Sequence, residues 1–266
     1  MARSMSLFVS VALISACGSG DDMAPSEDVV EVSAAATAEP TTTWGTAQTA
    51  WRQVGQGHTY TNWEQDVTVV EANAPMSAGI SGDMVYGPHW QLEILRPINR
   101  PALFNFRMDS ASDTQVPPGG SCHSAATYKS CRTPVGEEVV GKTIRLFLIK
   151  SNRTDGTDLW WSAWAQIQNG RGFYLGQLKT PYQGAIVSAS SYTLAQGKAD
   201  TRDPDHIVHC VEPPARTTDV FGVPTVSSPV LSPRTLPYGV SFLSGCYGKG
   251  SLAVPFYDGA IHLFGP

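Results

Sequence analysis

The chain has 266 residues, of which 42% are hydrophobic and 15% charged, and its formal net charge is −5. This length allows one large domain or two small ones. The low charge and the lack of a basic cluster argue against a nucleic-acid-binding protein, which would need clustered Lys and Arg.

The first residues have the features of an export signal. Arg3 precedes an apolar run over residues 5–16 that is too short to span a bilayer, which predicts a signal peptide over residues 1–16. The run ends in Ile14-Ser15-Ala16-Cys17, which resembles the lipobox of bacterial lipoproteins. The resemblance implies that Cys17 is lipidated and that the protein is extracytoplasmic, anchored to a bacterial membrane (the outer membrane or the cell surface) by this lipid only. The alternative is ordinary secretion, with Cys17 removed or left free.

The segment after this cysteine differs in composition from the rest of the chain. Residues 18–43 contain no aromatic residue, no Lys and no Arg, but six acids. Such a segment cannot bury enough apolar surface to offset its ordering entropy, so we predict a disordered tether over residues 17–43. Without Arg3 and these six acids, 17 basic and 17 acidic residues remain. A neutral folded part suits a small neutral or weakly charged partner.

Residues 44–266 are predicted to form a single antiparallel β-sandwich domain, which we expect to be a monomer. Short β-branched and aromatic runs alternate with Gly, Pro, Asn and Asp, and no helix-length periodicity or tandem repeat occurs. The predicted strands are His58–Trp63, Val67–Asn73, Trp90–Leu95, Ala102–Met108, Thr143–Lys150, Trp160–Gln168, Gly172–Lys179, Ala185–Thr193, His206–Cys210 and Ala260–Phe264.

The cysteines predict disulfides rather than a zinc site. If Cys17 carries lipid, four cysteines remain, and four cysteines allow three pairings. We favour Cys122–Cys131 and Cys210–Cys246, because each pair then lies within one region of the chain. Zinc is not expected, because there is no Cys-x-x-Cys motif and the compartment is oxidising. The first pair would pin a long loop over residues 109–139, where the sequence has no strand pattern.

The segment 143–179 is predicted to be a three-stranded meander, because Asn169-Gly170 between two strand-like runs is a strong hairpin signal. Alternation along its middle strand places Trp161 on an apolar face with Ala163, Ala165 and Ile167, so we expect Trp161 in the core.

The opposite face of the same strand holds Trp160 and Trp164, with Gln166 and Gln168 beyond them. Flat indoles can stack on sugar rings while amides bind the hydroxyls, so these four residues are the predicted glycan-binding residues. The alternative is that a second layer or the pinned loop covers both indoles.

Catalysis is less well supported by the sequence. The acid pattern of sandwich glycosidases, Glu-x-Asp-x-x-Glu, is absent, and so are the motifs of sandwich polysaccharide lyases. Glu64, Asp66 and Glu93 are the acids to test if a catalytic pair forms from separate strands. The histidines are scattered and no phosphate or dinucleotide motif occurs, so we expect no metal and no cofactor.

Several segments in a fixed order carry a wider resemblance: GKTIRLFLIKSN, WWSAWAQI, YLGQLKTP and HCVEPPARTTDVFGVP. In this order they resemble a group of exported β-sandwich proteins of unknown function in bacteria and fungi. The resemblance implies a concanavalin-like or jelly-roll sandwich with the late cysteines paired, and it supplies no catalytic residues. The favoured hypothesis is a glycan-binding surface lipoprotein. The alternatives are a carbohydrate-active enzyme, either a glycoside hydrolase or a lyase, and a structural or adhesive protein with a protein partner.

Overall fold

Two antiparallel sheets make up the described part of the chain, which confirms the predicted all-β sandwich. The computed structural model describes residues 41–53, 59–85, 87–97, 99–155, 158–180, 184–200, 209–212, 215–227, 235–243 and 251–265. These residues belong to one compact unit, Glu39–Pro266. No helix that could span a membrane occurs among them.

The first sheet has the strand order β16-β1-β12-β3-β4-β5-β8-β7, with β13 also paired to β12. The bounds of its strands are β1 Thr41–Gln53, β3 Met76–Met84, β4 His89–Arg96, β5 Leu103–Asp109, β7 Ser121–Ser124, β8 Tyr128–Pro134, β12 Ile186–Asp200, β13 His209–Glu212 and β16 Thr235–Leu243.

The second sheet has the order β17-β18-β14-β2-β9-β10-β11-β6, with β15 also paired to β2. Its strands are β2 Asn62–Ala72, β6 Asp113–Gln115, β9 Lys142–Asp155, β10 Asp158–Ile167, β11 Gly172–Thr180, β14 Thr217–Gly222, β15 Thr225–Ser227, β17 Ser251–Phe256 and β18 Gly259–Phe264. The predicted meander is confirmed, because β9, β10 and β11 are neighbours in this sheet.

The core lies between the sheets and is built from the inward-facing side chains of both. Trp90 and Phe104 of the first sheet and Trp63 and Trp161 of the second are 0 to 1% exposed. Large aromatic side chains bury the most apolar area per residue, so this layer supplies much of the hydrophobic stabilisation.

The structure corrects the predicted strands in two places. The end of the strand expected at His58–Trp63 and nearly all of the one expected at Val67–Asn73 belong to a single strand, β2, because Gln65 is buried between Glu64 and Asp66 and continues the alternation instead of making a turn. Strand β3 was not predicted at all. Its sequence, MSAGISGDM, is rich in Gly and Ser, yet its first seven residues are all buried. The strand pairs with β4 on one side and with β12 on the other.

The segment 109–139 contains the predicted Cys122–Cys131 disulfide but is not an irregular loop. It includes strands β6, β7 and β8, and the two cysteines face each other directly across the β7–β8 pair. These strands are difficult to predict from the sequence because they are short and polar. Only Cys131 and a few neighbours are buried.

Replacing both Cys122 and Cys131 with serine is expected to lower the free energy of unfolding by about 2 to 3 kcal/mol. A cross-link over a sequence separation of 9 removes chain entropy from the unfolded state. Urea unfolding of wild type and the double variant, both without reductant, should show this loss. An unchanged transition midpoint would contradict the expected role of the disulfide.

A buried polar cluster lies between β1, β12, β14 and β18. The Thr193 hydroxyl donates to Asp219 Oδ2 at 2.9 Å and lies 3.1 Å from His262 Nδ1, while Thr49 Oγ1 lies 2.9 Å from His262 Nε2. All four side chains are 0% exposed. Burial raises the pKa of Asp219 to about 8 and lowers the pKa of His262 to about 3. Both groups are therefore uncharged inside the folded protein at neutral pH.

Some of the predicted features fall outside the described residues. They include the signal peptide, the lipidated Cys17 and nearly all of the tether. Cys246 also lies outside them, and only the backbone of Cys210 is described, in β13. Strand β1 begins at Thr41, three residues before the predicted start of the folded body.

Candidate functional site

From Ala163 onward, successive side chains of β10 point alternately into the core and out to solvent. Trp161 and Ala163 are fully buried, which confirms the prediction that Trp161 belongs to the core. Trp164 is 43% exposed, and Gln166 and Gln168 are exposed beyond it. The outer face of the second sheet therefore presents three of the four predicted glycan-binding residues to solvent.

Trp160, the fourth predicted residue, is only 2% exposed. The Arg153 guanidinium lies 4.5 Å from the centroid of its ring and the Lys179 ammonium 6.0 Å away, so two cationic side chains cover the indole. The pairing with β9 also shifts register at this point, which ends the simple alternation of the strand. The expected pair of open indoles is therefore corrected to a single open indole, Trp164.

An aromatic row crosses three adjacent strands of this face and consists of Phe147, Trp164 and Tyr174. Trp164 is paired with Phe147 on β9 and with Tyr174 on β11. The Trp164 and Tyr174 ring centroids are 4.7 Å apart with an interplanar angle of 51°. At the usual strand spacing the row spans about 10 Å. Ile149, 40% exposed, lies beside it and extends the apolar surface.

A β-bulge brings Tyr174 next to Trp164. The pairing of β10 with β11 shifts register between Ala163 and Trp164, so Leu175 has no direct partner and turns into the core. Gly176 makes the bulge possible, because its φ of 106° suits glycine and a Cβ there would lie 2.8 Å from a backbone oxygen. Sequence reasoning placed Tyr174 in a strand but missed its role, because a bulge changes which residues are opposite each other.

Polar side chains border the aromatic row on both sides. On one side Gln166 helps to line a depression of about 160 Å³. A second depression, of about 390 Å³, lies over the apolar side chains of Phe147, Ile149 and Trp164. On the other side Gln177 donates to Ser162 Oγ at 2.6 Å. The residues lining the smaller depression are Asp66, Thr143, Arg145, Gln166, Gln168 and Asn169.

Burial raises the pKa of the Tyr174 phenol, although the nearby Arg153 opposes this effect. The hydroxyl is therefore protonated at neutral pH and can donate a hydrogen bond.

Two of the three candidate acids share one cation beside this row: Glu64 is paired with Phe147 at its end, and Asp66 is opposite Arg145 in the next row. Arg145 contacts Asp66 at 2.6 and 3.1 Å and Glu64 at 3.2 Å. The hydrogen bond and charge of Asp66 raise the pKa of Arg145 further above its ordinary value. Both carboxylates are thus ion-paired, and the pair can accept hydrogen bonds from a ligand at the Glu64 end of the row.

Glu93, the third candidate acid, lies on the first sheet, away from Glu64 and Asp66. Its neighbours in β4, Leu92 and Ile94, are buried in the core, so Glu93 projects from the outer face of that sheet. The core therefore separates Glu93 from the other two acids, and the three do not form one catalytic group.

Exposed apolar side chains also occur on the β17–β18 hairpin, outside the aromatic row. Val254, Phe256 and Leu263 are 37 to 39% exposed, and Tyr257 at the hairpin tip is 78% exposed. A patch of this kind is compatible with the alternative of a protein partner.

Comparisons with known proteins add little to this description. No family model matches the chain. No curated protein matches it either. Two crystal structures of scytalido-glutamic peptidase are similar in fold, one with a peptide-based transition state analogue and one with a transition state analogue inhibitor. Each has a TM-score of 0.45 and 8% identity, covering 86% of this chain and all of the other. At this level of similarity no activity is transferred to this chain.

Among the residues described, no three His, Cys, Asp or Glu side chains come together in a way that could hold a metal ion.

Proposed function

We propose that this chain is a lipid-anchored protein of the bacterial cell envelope that binds a glycan on the outer face of its second sheet. The observation that carries the proposal is the open Trp164 ring beside Tyr174, in a row bordered by amides, hydroxyls and an acid–arginine cluster. The anchor and the compartment rest on the sequence around Cys17.

The aromatic row suits a sugar better than a wholly apolar ligand. Sugar rings have apolar C–H faces that can pack on Trp164 and Tyr174, and their hydroxyls need hydrogen-bond partners at the edges. Gln166 and Gln168 supply both donors and acceptors, while the carboxylates of Glu64 and Asp66 accept. A span of about 10 Å would accommodate a short stretch of a chain rather than a single ring.

A glycoside hydrolase is the second candidate, because Glu64 and Asp66 lie beside the same row. Retaining and inverting mechanisms both need one carboxyl that can donate a proton. Here Arg145 forms ion pairs with both carboxylates, so the arrangement suits ligand recognition more than acid catalysis. Cleavage of the bound glycan by wild-type protein, lost in Glu64→Gln, would favour the hydrolase instead.

Trp164→Ala should weaken glycan binding about tenfold or more, because it removes the central ring of the row. Tyr174→Ala should weaken binding less, since this ring is more buried. Affinity electrophoresis in gels containing polysaccharides can measure both effects. Tyr257→Ala is the matched control, because it removes an exposed aromatic ring outside the row and should leave binding unchanged. Equal retardation of wild type and Trp164→Ala would exclude the row as the binding surface.

A further inference from the structure

The outer face of the first sheet carries an unusual carboxylate, Glu93. Its Oε2 accepts hydrogen bonds from Ser77 at 2.6 Å and from the Tyr192 hydroxyl at 2.8 Å, and its Oε1 accepts one from Asn105 at 2.6 Å. These three donors are all neutral. Ser77, Asn105 and Tyr192 are only 4 to 6% exposed, while Glu93 is half-buried and open to solvent.

The charge of Glu93 has no cationic partner within the described part of the chain. Six other acids of the described part form ion pairs with Arg or Lys: Glu64 and Asp66 with Arg145, Glu71 with Arg216, Asp109 with Arg107, Glu137 with Lys142 and Glu138 with Arg96. Arg107, in the neighbouring row, is engaged with Asp109 and stacks over Tyr128, with 4.0 Å from its guanidinium carbon to the ring centroid.

The surrounding residues are arranged to hold this carboxylate. Tyr192 reaches Glu93 across Gly79, which lies between them in the sheet, and a Cβ at Gly79 would lie 2.1 Å from the Leu92 carbonyl oxygen. Burial and the charge of Glu93 raise the pKa of Tyr192 well above its ordinary value, so its hydroxyl remains a donor.

Asn105 is a second sign of a functional arrangement. Its amide nitrogen is directed to Glu93, and its buried Oδ1 has no hydrogen-bond partner among the described residues. Leaving a buried acceptor unsatisfied costs stability, so the orientation of Asn105 serves Glu93 rather than the fold. A carboxylate has about four acceptor positions, and three are filled here. One position on Oε1 remains for a ligand, on a carboxylate that has no ion pair among the described residues.

We infer that Glu93 binds the protonated amine of an amino sugar on the outer face of the first sheet. An ammonium group supplies the missing positive charge and a donor for the open position of Oε1. The row beside Glu93 contains Ser81, Gln91 and Ser190, which can bond to ring hydroxyls. A lysine side chain carries its ammonium on an apolar stem without hydroxyls and would leave this row unused. The inference is independent of the glycan site on the second sheet.

Calorimetric titration of the full chain in detergent tests this inference with two tetramers that differ only in their amines. A chitosan tetramer has free amines and should bind at mildly acidic pH, whereas the N-acetylated chitin tetramer should bind at least about tenfold more weakly at this site. Glu93→Gln should weaken chitosan binding by about tenfold or more. Tyr192→Phe should weaken chitosan binding severalfold. This second variant provides the test if Glu93→Gln does not fold.

One control separates this site from other surface acids: Glu71→Gln removes an acid elsewhere on the surface and should leave the binding of the chitosan tetramer unchanged. All titrations are made in a Trp164→Ala background, so that the row on the second sheet does not contribute to the signal. The inference is overturned if the two tetramers bind equally, if Glu93→Gln and Tyr192→Phe bind like wild type, or if a lysine tetrapeptide binds and the chitosan tetramer does not.

Discussion

Trp161→Ala is expected to lower the free energy of unfolding by about 3 to 5 kcal/mol, the usual cost of truncating a large buried aromatic residue. Trp161 is 0% exposed and packs in the layer between the two sheets. A cavity of this size cannot close, because the inward side chains of two separate sheets define it. Since whole domains have stabilities of about 5 to 15 kcal/mol, the variant should be marginally folded.

Two variants of the same strand serve as controls for Trp161→Ala in urea unfolding. Trp164→Ala should cost less than about 1 kcal/mol, because this ring is 43% exposed. Trp161→Phe should cost less than the alanine change, because phenylalanine keeps an aromatic ring in the core and leaves a smaller cavity. Equal losses for Trp161→Ala and Trp164→Ala would contradict the division of β10 into a core face and an open face.

Asp219→Asn is expected to make the protein more stable than wild type, by a margin that grows with pH. Burial raises the pKa of Asp219 from 3.8 to about 8, so only the unfolded chain ionises between these values. The stability that protonated Asp219 contributes is therefore full below pH 3.8 and is lost as the pH rises towards 8. Asparagine has a similar shape and no proton to lose. The margin should approach roughly 5 kcal/mol near pH 8.

His262 produces the opposite slope at lower pH. Burial lowers its pKa from 6.5 to about 3, so the unfolded chain takes up a proton below pH 6.5 that the folded chain does not. In wild type the two slopes oppose each other between 3.8 and 6.5, and stability falls as the pH rises from 6.5 to 8. In Asp219→Asn only the effect of His262 should remain, which is a fall in stability as the pH falls below 6.5. Unfolding free energies measured across this range test the prediction.

The control for this experiment is Asp258→Asn, which changes an exposed acid in the β17–β18 turn and should shift the curve little. If Asp219→Asn and wild type had parallel stability curves from about pH 4 to 8, Asp219 would have to be ionised in the folded protein, contrary to its burial.

The parts of the fold that depend on local sequence were predictable. Asn169-Gly170 marks the β10–β11 hairpin, and Asn169 has a positive φ of 56° in the connection between the two strands. Alternation placed Trp161 in the core correctly. The closely spaced Cys122 and Cys131 were paired correctly, because a short separation makes the pairing geometrically simple.

The parts that depend on pairing between distant strands were not predictable. Strand β3 lacks β-branched alternation, and its glycines are explained only by neighbours: a Cβ at Gly82 would lie 2.1 Å from the Ser188 carbonyl oxygen. The cover over Trp160 comes from Arg153 and Lys179 on two other strands. The position of Tyr174 beside Trp164 depends on a bulge.

The network around Glu93 was hidden for the same reason. Its three donors come from three different strands, 12 to 99 positions away in the chain. In the sequence Glu93 is a lone acid within an apolar strand, and nothing nearby distinguishes it from a surface carboxylate.

The most direct test of the account is a glycan array probed with the full chain and, in parallel, with its Trp164→Ala variant. Wild type is expected to bind at least one class of glycan, and the variant is expected to lose this signal while remaining folded. Tyr257→Ala should retain the signal. Absence of binding to every glycan, or an unchanged pattern in Trp164→Ala, would contradict the proposal that the aromatic row on the second sheet is a glycan-binding surface.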